Sequence, residues 1–228
     1  MKLSIKFTLA VLVLCSAAWA DTSENFDNIT TLAGSGWVLV NNSNPVGSTG
    51  WFQGDPSVFS SQNGAPDSYI AANFNNAGFG GNISDWLISP EMAFSNGTVI
   101  SFYARTEPGG AIFNDSLEVR LSTNGASADV GTTDSSLGDF TTLLLSINSA
   151  QTGSFPEDWT LFTATISGLS GSNSGRIAFR YNLTDTSVNG DYIGIDHVSV
   201  PEPGSLVLSL LGAGFLGIIL FRYKPRLA

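Results

Sequence analysis

The chain has 228 residues, of which 43% are hydrophobic and 12% are charged, and its formal net charge is −10. Residues 21–199 contain four arginines, no lysine and 18 acidic residues, so this segment alone has a net charge of −14. Such a surface repels phosphate backbones, which argues against nucleic-acid binding, and it is compatible with divalent cations and neutral glycans.

Residues 1–20 have the pattern of a signal peptide. Two lysines precede an apolar stretch at residues 7–15, and Ala18 and Ala20 are the small residues that signal peptidase reads. We therefore predict cleavage after Ala20 and export of the remaining chain. Because the single cysteine, Cys15, lies in this leader, the mature chain needs no disulfide and has no cysteine-based metal or catalytic site.

The body of the chain is rich in Gly, Ser, Asn and Thr, a composition that suits short strands and many turns. Apolar and polar residues alternate in residues 117–122, so this strand should bury one face and expose Glu118 and Arg120 on the other. Residues 140–147 contain three consecutive leucines and are predicted to be buried on both faces. The other predicted strands lie at residues 24–29, 37–40, 51–52, 69–74, 85–89, 100–105, 159–166, 177–183 and 192–200.

About nine or ten short strands, with no convincing helix before the tail, predict a single all-β domain over residues 21–199. The expected architecture is an antiparallel β-sandwich. Residues 124–138 are polar and contain glycine, which predicts a long loop. Alternation alone does not distinguish a jelly roll from an immunoglobulin-like sandwich.

The tail, residues 200–228, begins with two prolines on either side of Glu202, and these prolines end the preceding strand at Val200. Residues 206–221 follow without a charge and give about 24 Å of helix, against about 30 Å for the hydrocarbon core. We predict a single C-terminal transmembrane helix. Three cations place its end in the cytoplasm, namely Arg222, Lys224 and Arg226.

A Pro-Glu-Pro box (Pro201, Glu202, Pro203), then one span and a basic end, resembles the PEP-CTERM sorting signals. The resemblance implies processing by exosortase, an integral-membrane protease or transpeptidase of exopolysaccharide-producing Gram-negative bacteria. Glu202 would be its recognition element, with cleavage near residues 203–205. The protein would pass through the inner membrane transiently and reach the cell envelope or extracellular matrix. The alternative is an ordinary C-terminal anchor, which has no need of the two prolines and the acid.

Several short sequence segments within residues 21–199 also resemble the choice-of-anchor J family, which is related to cleaved adhesin and MAM-type domains. This resemblance implies a jelly-roll sandwich and says little about biochemical activity. The segments are Gly-Trp-Phe-Gln-Gly at residues 50–54, Ser-Tyr-Ile-Ala-Ala-Asn-Phe at 68–74, Ser-Asp-Trp-Leu-Ile-Ser-Pro at 84–90, Leu-Glu-Val-Arg-Leu-Ser at 117–122 and Tyr-Ile-Gly-Ile-Asp at 192–196.

Catalytic motifs are not found. His197 is the only histidine, and no nucleophile elbow, zinc-protease helix or phosphate-binding loop occurs. Glycoside hydrolysis needs two carboxylates at one cleft, and Glu118 has no second acid two or four residues away on its face. We therefore predict that the protein is not an enzyme.

Two binding sites are predicted with non-catalytic roles. In related jelly rolls calcium ties the first segment to the last strand, which here implies Asp27, with Glu24 or Asn25 as alternatives, and Asp196. Alternation along the last strand also predicts that Asp196 shares a strand face with Tyr192 and Val198, an odd place for an unpaired charge. Pairing with Arg176 or Arg180 on a neighbouring strand or with the backbone, or simple exposure, would explain this charge equally well. Trp51 has loop-like neighbours and is the candidate to stack on a sugar ring.

The sequence therefore predicts a noncatalytic exported protein with a role in adhesion or glycan contact, exopolysaccharide included. One alternative is a secreted glycan-active hydrolase with an unrecognised carboxylate pair. The other is a purely structural matrix protein.

Overall fold

The computed structural model describes residues 22–109, 113–153 and 155–201. Thirteen strands and two short 3₁₀ helices, Ile29–Ser35 and Phe74–Asn76, make up this part of the chain. The strands are β1 (Thr22–Glu24), β2 (Val38–Asn41), β3 (Asn44–Val46), β4 (Phe52–Gln53), β5 (Ile70–Asn73), β6 (Ala77–Ile88), β7 (Met92–Phe94), β8 (Val99–Thr106), β9 (Leu117–Ser122), β10 (Thr142–Ile147), β11 (Thr160–Thr165), β12 (Asn173–Leu183) and β13 (Tyr192–Val200).

The strands form two antiparallel sheets packed face to face. The first sheet has the order β11-β8-β13-β5-β4, with β1 also paired to β13. The second has the order β10-β9-β12-β6-β2, with β3 paired to β6 and β7 paired to β12. The predicted antiparallel β-sandwich is confirmed. The N-terminal leader and the C-terminal helix predicted from the sequence lie outside the described residues, within which no helix is long and apolar enough to cross a membrane.

The core between the sheets follows from the alternation of side chains along the strands. Ile100, Phe102 and Ala104 of β8 all point inward and are fully buried. Phe102 meets Phe179 of β12 edge to face, with ring centroids 4.9 Å apart, which joins the two sheets through an aromatic pair.

The outer face of the second sheet is covered, which the alternation of β9 did not predict. The loop that follows β9 lies across it, and Phe140 packs beside Trp86 in a second apolar cluster. Arg120, expected on a solvent-exposed face, is therefore buried, and its Nε donates to Glu118 at 2.7 Å. Period-two alternation separates the two faces of a strand but does not reveal a loop that covers one of them.

Strand β10 is an edge strand, and the prediction that its leucines are buried on both faces is wrong. Leu143 is 48% exposed, because β10 has a neighbour on one side only, β9. The register with β9 also shifts between Leu143 and Leu145, a bulge of the kind common on edge strands.

The start of the domain also differs from expectation. The predicted strand at residues 24–29 is shorter and earlier in the structure, as β1, and the chain then turns into the helix Ile29–Ser35. Asn28 causes this turn, because its side chain accepts a hydrogen bond from the Thr30 N–H at 3.1 Å and caps the helix.

Candidate functional site

A cleft of about 290 Å³ opens at one end of the sandwich and is the candidate functional site. Three phenylalanines line it from separate parts of the chain, Phe74, Phe79 and Phe113. Their exposed fractions are 46%, 90% and 45%, so the rings are open to solvent. We call this site the aromatic cleft. Its remaining lining residues are Thr186, Ser187, Gly190 and Asp191.

The backbone around Phe74 and Phe79 positions the first two rings. Phe74 begins the helix Phe74–Asn76, and the side chain of Asn73 caps that helix by accepting a bond from the Asn75 N–H at 2.9 Å. Phe79 lies between glycines in β6, and the following Gly80 has φ 73°, a left-handed conformation that glycine adopts without strain. This backbone turns the Phe79 ring outward.

The other wall is the loop at residues 184–191. The Thr186 N–H donates to the carbonyl of Gly81 at 2.9 Å, which fixes the loop beside Phe79. Gly190 has φ 89°, and a Cβ at this position would lie 2.9 Å from Leu183 Cδ1. No larger residue fits there without moving its neighbours, so the loop packs closely against the end of the second sheet.

Acidic side chains lie behind the cleft. Glu107 lies beside the carboxyl group of Asp191, and the Asp191 N–H donates to Asp115 Oδ1 at 3.0 Å. Burial, with the hydrogen bond to Glu107 and its negative charge, raises the pKa of Asp191 to about 7. Asp191 therefore gains or loses its proton near neutral pH.

Asp115 anchors this end of the molecule. It is 1% exposed, and its oxygens accept hydrogen bonds from the hydroxyls of Tyr181 at 2.5 Å and Thr106 at 2.6 Å. Burial raises its pKa in spite of these donors. The Asp115 network joins β8, β12 and the loop at residues 184–191, so the wall of the cleft is fixed to both sheets.

The aromatic cleft was missed by the sequence analysis. Its phenylalanines lie on segments without alternation, and they meet only through the fold. One local sign was available, because Gly-Phe-Gly-Gly at residues 78–81 puts a large apolar residue where no strand can bury it.

The expectation that Trp51 is an exposed ring is contradicted, since it is 6% exposed and belongs to the core between the sheets. Trp86 is fully buried, with the guanidinium of Arg180 5.0 Å from its ring. Trp159 packs against Phe59, and its Nε1 donates to the carbonyl of Ser60 at 2.8 Å. A stacking surface therefore has to come from other aromatic residues.

Asp196 is fully buried and accepts three backbone hydrogen bonds, so simple exposure is excluded and backbone pairing is observed. Its Oδ2 accepts from the N–H groups of Gln62 at 2.9 Å and Asn63 at 3.2 Å, and its Oδ1 from that of His197 at 2.6 Å. Burial raises the pKa of Asp196 to about 6. The loop at residues 54–68 is thereby tied to β13.

Asp196 and Val198 do not share a strand face as the alternation predicted. His197 has φ 50°, and the register between β13 and β8 shifts between Asp196 and Ser199. This bulge turns Val198 into the core while Asp196 points to the outer face. The His197 side chain has a structural contact, because its Nδ1 lies 2.8 Å from Asn25 Oδ1.

Asp27, the other predicted calcium ligand, approaches the same loop, since its Oδ1 lies 3.3 Å from the position of a Cβ at Gly64. The oxygen donors in this region suit calcium in kind. Within the described ranges, however, no three His, Cys, Asp or Glu side chains come together as a metal site. Carbonyl and amide oxygens would have to supply the remaining ligands, and calcium binding stays a prediction.

The Pro-Glu-Pro box follows β13 directly. Pro201 is exposed and is the last described residue. The other predicted sorting residues lie outside the described part of the chain, namely Glu202, Pro203, Arg222, Lys224 and Arg226.

Residues 199–226 match the PEP-CTERM protein-sorting motif. The chain therefore carries this motif where the sequence analysis placed it, which implies processing by an exosortase-type system and indicates an exported, cell-surface protein. No curated protein matches the chain in sequence.

The fold is similar to cleaved adhesin domains of Lys-gingipain. The K1 domain, from Porphyromonas gingivalis W83, is 19% identical with a TM-score of 0.56, and the match covers 82% of this chain and 100% of that one. The K2 domain is 20% identical with a TM-score of 0.53, covering 79% and 99%. These similarities confirm the adhesin-type β-sandwich. The choice-of-anchor J name stays a prediction.

Proposed function

We propose that this is a noncatalytic surface protein, processed by exosortase, that contacts glycans of the envelope or exopolysaccharide matrix through the aromatic cleft. The observation that carries the proposal is the group of three solvent-exposed phenylalanines at one cleft. Monomeric soluble proteins rarely leave large apolar patches exposed without a binding role.

The composition of the cleft suits a sugar. Exposed aromatic rings pack against the apolar faces of pyranose rings, while Thr186, Ser187 and Asp191 place polar groups at the edge of the same cleft. Ligand sites usually combine apolar walls with a few convergent polar groups in this way. The cleft volume of about 290 Å³ lies just below the usual range of roughly 300–1,000 Å³, which suits a short stretch of an open polymer.

Replacing Phe79 by alanine tests the proposal. Because its ring is 90% exposed, the substitution removes a contact surface without opening a cavity in the core. We expect affinity for a bound oligosaccharide to fall about tenfold, equivalent to about 1.4 kcal/mol, in isothermal titration of the purified full-length protein.

Leu161→Ala is the matched control, because Leu161 is 53% exposed and lies on β11 away from the cleft. It should bind like the unsubstituted protein. If no oligosaccharide of a broad glycan array binds, glycan contact is refuted and the purely structural matrix role is favoured.

A secreted hydrolase is the second candidate, favoured by the pairing of Asp191 with Glu107 beside the cleft. The geometry argues against a glycosidase of the usual kinds. Their two carboxyl groups stand about 5 Å or more apart, to hold a sugar carbon or a water between them, whereas Glu107 is close enough to Asp191 to raise its pKa through a hydrogen bond and its negative charge. Release of reducing sugars that is lost in Asp191→Asn would favour the hydrolase.

A further inference from the structure

We propose that the aromatic cleft selects glycans that carry free amino groups, such as polymers of glucosamine, over neutral or acidic glycans. This inference rests on the proposed glycan contact and adds the chemical class of the sugar. It follows from the charges around the cleft and from the nature of its walls.

The charge at the cleft is negative. Asp191 is the only charged residue among those that line it, and Glu107 and Asp115 lie directly behind. Of these three carboxyl groups Asp191 is the one that lines the cleft, and the positive charge of a bound amine would favour its ionised form. A ligand cation placed beside Asp191 gains a charge-assisted hydrogen bond.

None of the arginines in the described part of the chain is available to oppose this charge. Arg105 lies over the ring of Phe59 at 4.3 Å, and Arg176 donates to backbone carbonyls, including that of Ser89 at 2.7 Å. Arg120 and Arg180 are both paired with Glu118. The cleft therefore has no cation that would attract a uronic acid, and its carboxylates repel one.

The phenylalanine rings favour the same ligand. The face of an aromatic ring carries negative electrostatic potential and attracts a cation within about 6 Å of its centroid, by roughly 0.5–1 kcal/mol at exposed sites. An amino sugar presents an ammonium group beside apolar ring faces, so it can use the rings and Asp191 at once. Acetylation of the amine removes its positive charge, so the sugar loses both the attraction to the aromatic rings and the charge-assisted hydrogen bond to Asp191.

Titration of the purified full-length protein at low salt with three tetrasaccharides tests this inference: glucosamine, N-acetylglucosamine and galacturonate. We expect the glucosamine tetramer to bind about tenfold more tightly than the acetylated one, and the galacturonate tetramer not to bind. Asp191→Asn should abolish the preference for the free amine, because it removes the only charge that lines the cleft while the amide keeps the shape of the carboxyl group.

The matched control is Asp158→Asn, which removes an exposed charge that does not line the cleft. It should keep the preference. An equal loss in both variants would show unspecific attraction to an anionic surface and overturn the inference.

Acetylated or acidic tetramers that bind as tightly as the free amine would also overturn the selectivity, while leaving glycan contact intact. Failure of all three tetramers and of the wider glycan array would instead refute the proposed function itself.

Discussion

Asp85 is an acid placed in the apolar core between the sheets. It is 1% exposed and shares a face of β6 with the buried Ile83 and Leu87. Burial raises its pKa well above the ordinary value, and no cation compensates it, since its side-chain partner is the Asn76 amide. The native state therefore favours the protonated, neutral carboxyl.

This burial predicts a pH-dependent stability. Because the folded-state pKa of Asp85 is raised, the native state binds its proton more tightly than the unfolded chain, whose pKa is about 3.9. The contribution is largest below that pH and is lost as the pH rises toward the folded-state pKa. Each unit of difference corresponds to about 1.4 kcal/mol.

Asp85→Asn should remove the loss of stability at rising pH, because an amide keeps the hydrogen bond with Asn76 and has no charge to desolvate. We expect the melting temperature of the variant to exceed that of the unsubstituted protein by an amount that grows from pH 4 to pH 8. Asp158→Asn serves as the exposed control. Parallel melting curves of Asp85→Asn and the unsubstituted protein across this range would contradict the prediction.

At the scale of elements, the loop between β9 and β10 depends on a compact ionic network. Arg120 Nη1 donates to the carbonyl of Phe140 at 3.3 Å, and Arg180 Nη2 donates to that of Asp134, so both arginines hold the loop. Glu118 compensates both cations, at 2.7 Å and 3.2 Å. The carboxylate of Glu118 on β9 therefore supports both arginines that fasten the loop to the sheet.

Glu118→Gln should destabilise the protein by about 3 kcal/mol, because it leaves two largely buried arginines without a counterion. Urea unfolding measures this loss, and hydrogen exchange should show faster exchange in residues 124–141. Glu157→Gln, at an exposed position, is the control. A change below about 0.5 kcal/mol would mean that the carbonyl partners alone satisfy the arginines.

The observed strands show which parts of the fold can be predicted from the sequence. Period-two alternation predicted β8, β9, β12 and β13 within a few residues, because their side chains face a core on at least one side. It missed the three-residue strands β3 and β7, which are too short to show a period. It also misplaced Val198, because one bulge exchanges the faces of every residue after it.

The candidate site was harder to predict than the fold. Residues 74, 79, 113, 186, 187, 190 and 191 come from three separate stretches of the chain, which meet only at one end of the folded sandwich. Tryptophan was the expected sugar-binding residue, but the largest side chains filled the core, and smaller phenylalanines remained outside.

At the scale of the whole molecule, the functions proposed for the tail and for the sandwich are separate. The tail matches a sorting motif, and the sandwich has the fold of an adhesin domain. Because the exosortase-type system reads the tail, sorting should be independent of the cleft, and binding should be independent of the tail once the protein has reached its destination.

Intact-mass measurement and cell fractionation test the sorting role. In cells with exosortase we expect the mature protein to begin at Asp21, to have lost the segment after residues 203–205, and to leave the inner membrane. Cells that lack exosortase should retain the full tail and the membrane-bound form. A tail retained in both strains would refute exosortase processing, and Phe79→Ala, which leaves the tail untouched, should be sorted normally.

Strand β13 runs from the aromatic cleft to the start of the tail. It begins at Tyr192, next to the aromatic cleft, and ends at Val200, where the Pro-Glu-Pro box starts. Nine extended residues span roughly 30 Å. If the proposed function holds, a copy still attached by its tail would carry the aromatic cleft about one strand length from the start of that tail, and could bind polymer before its release.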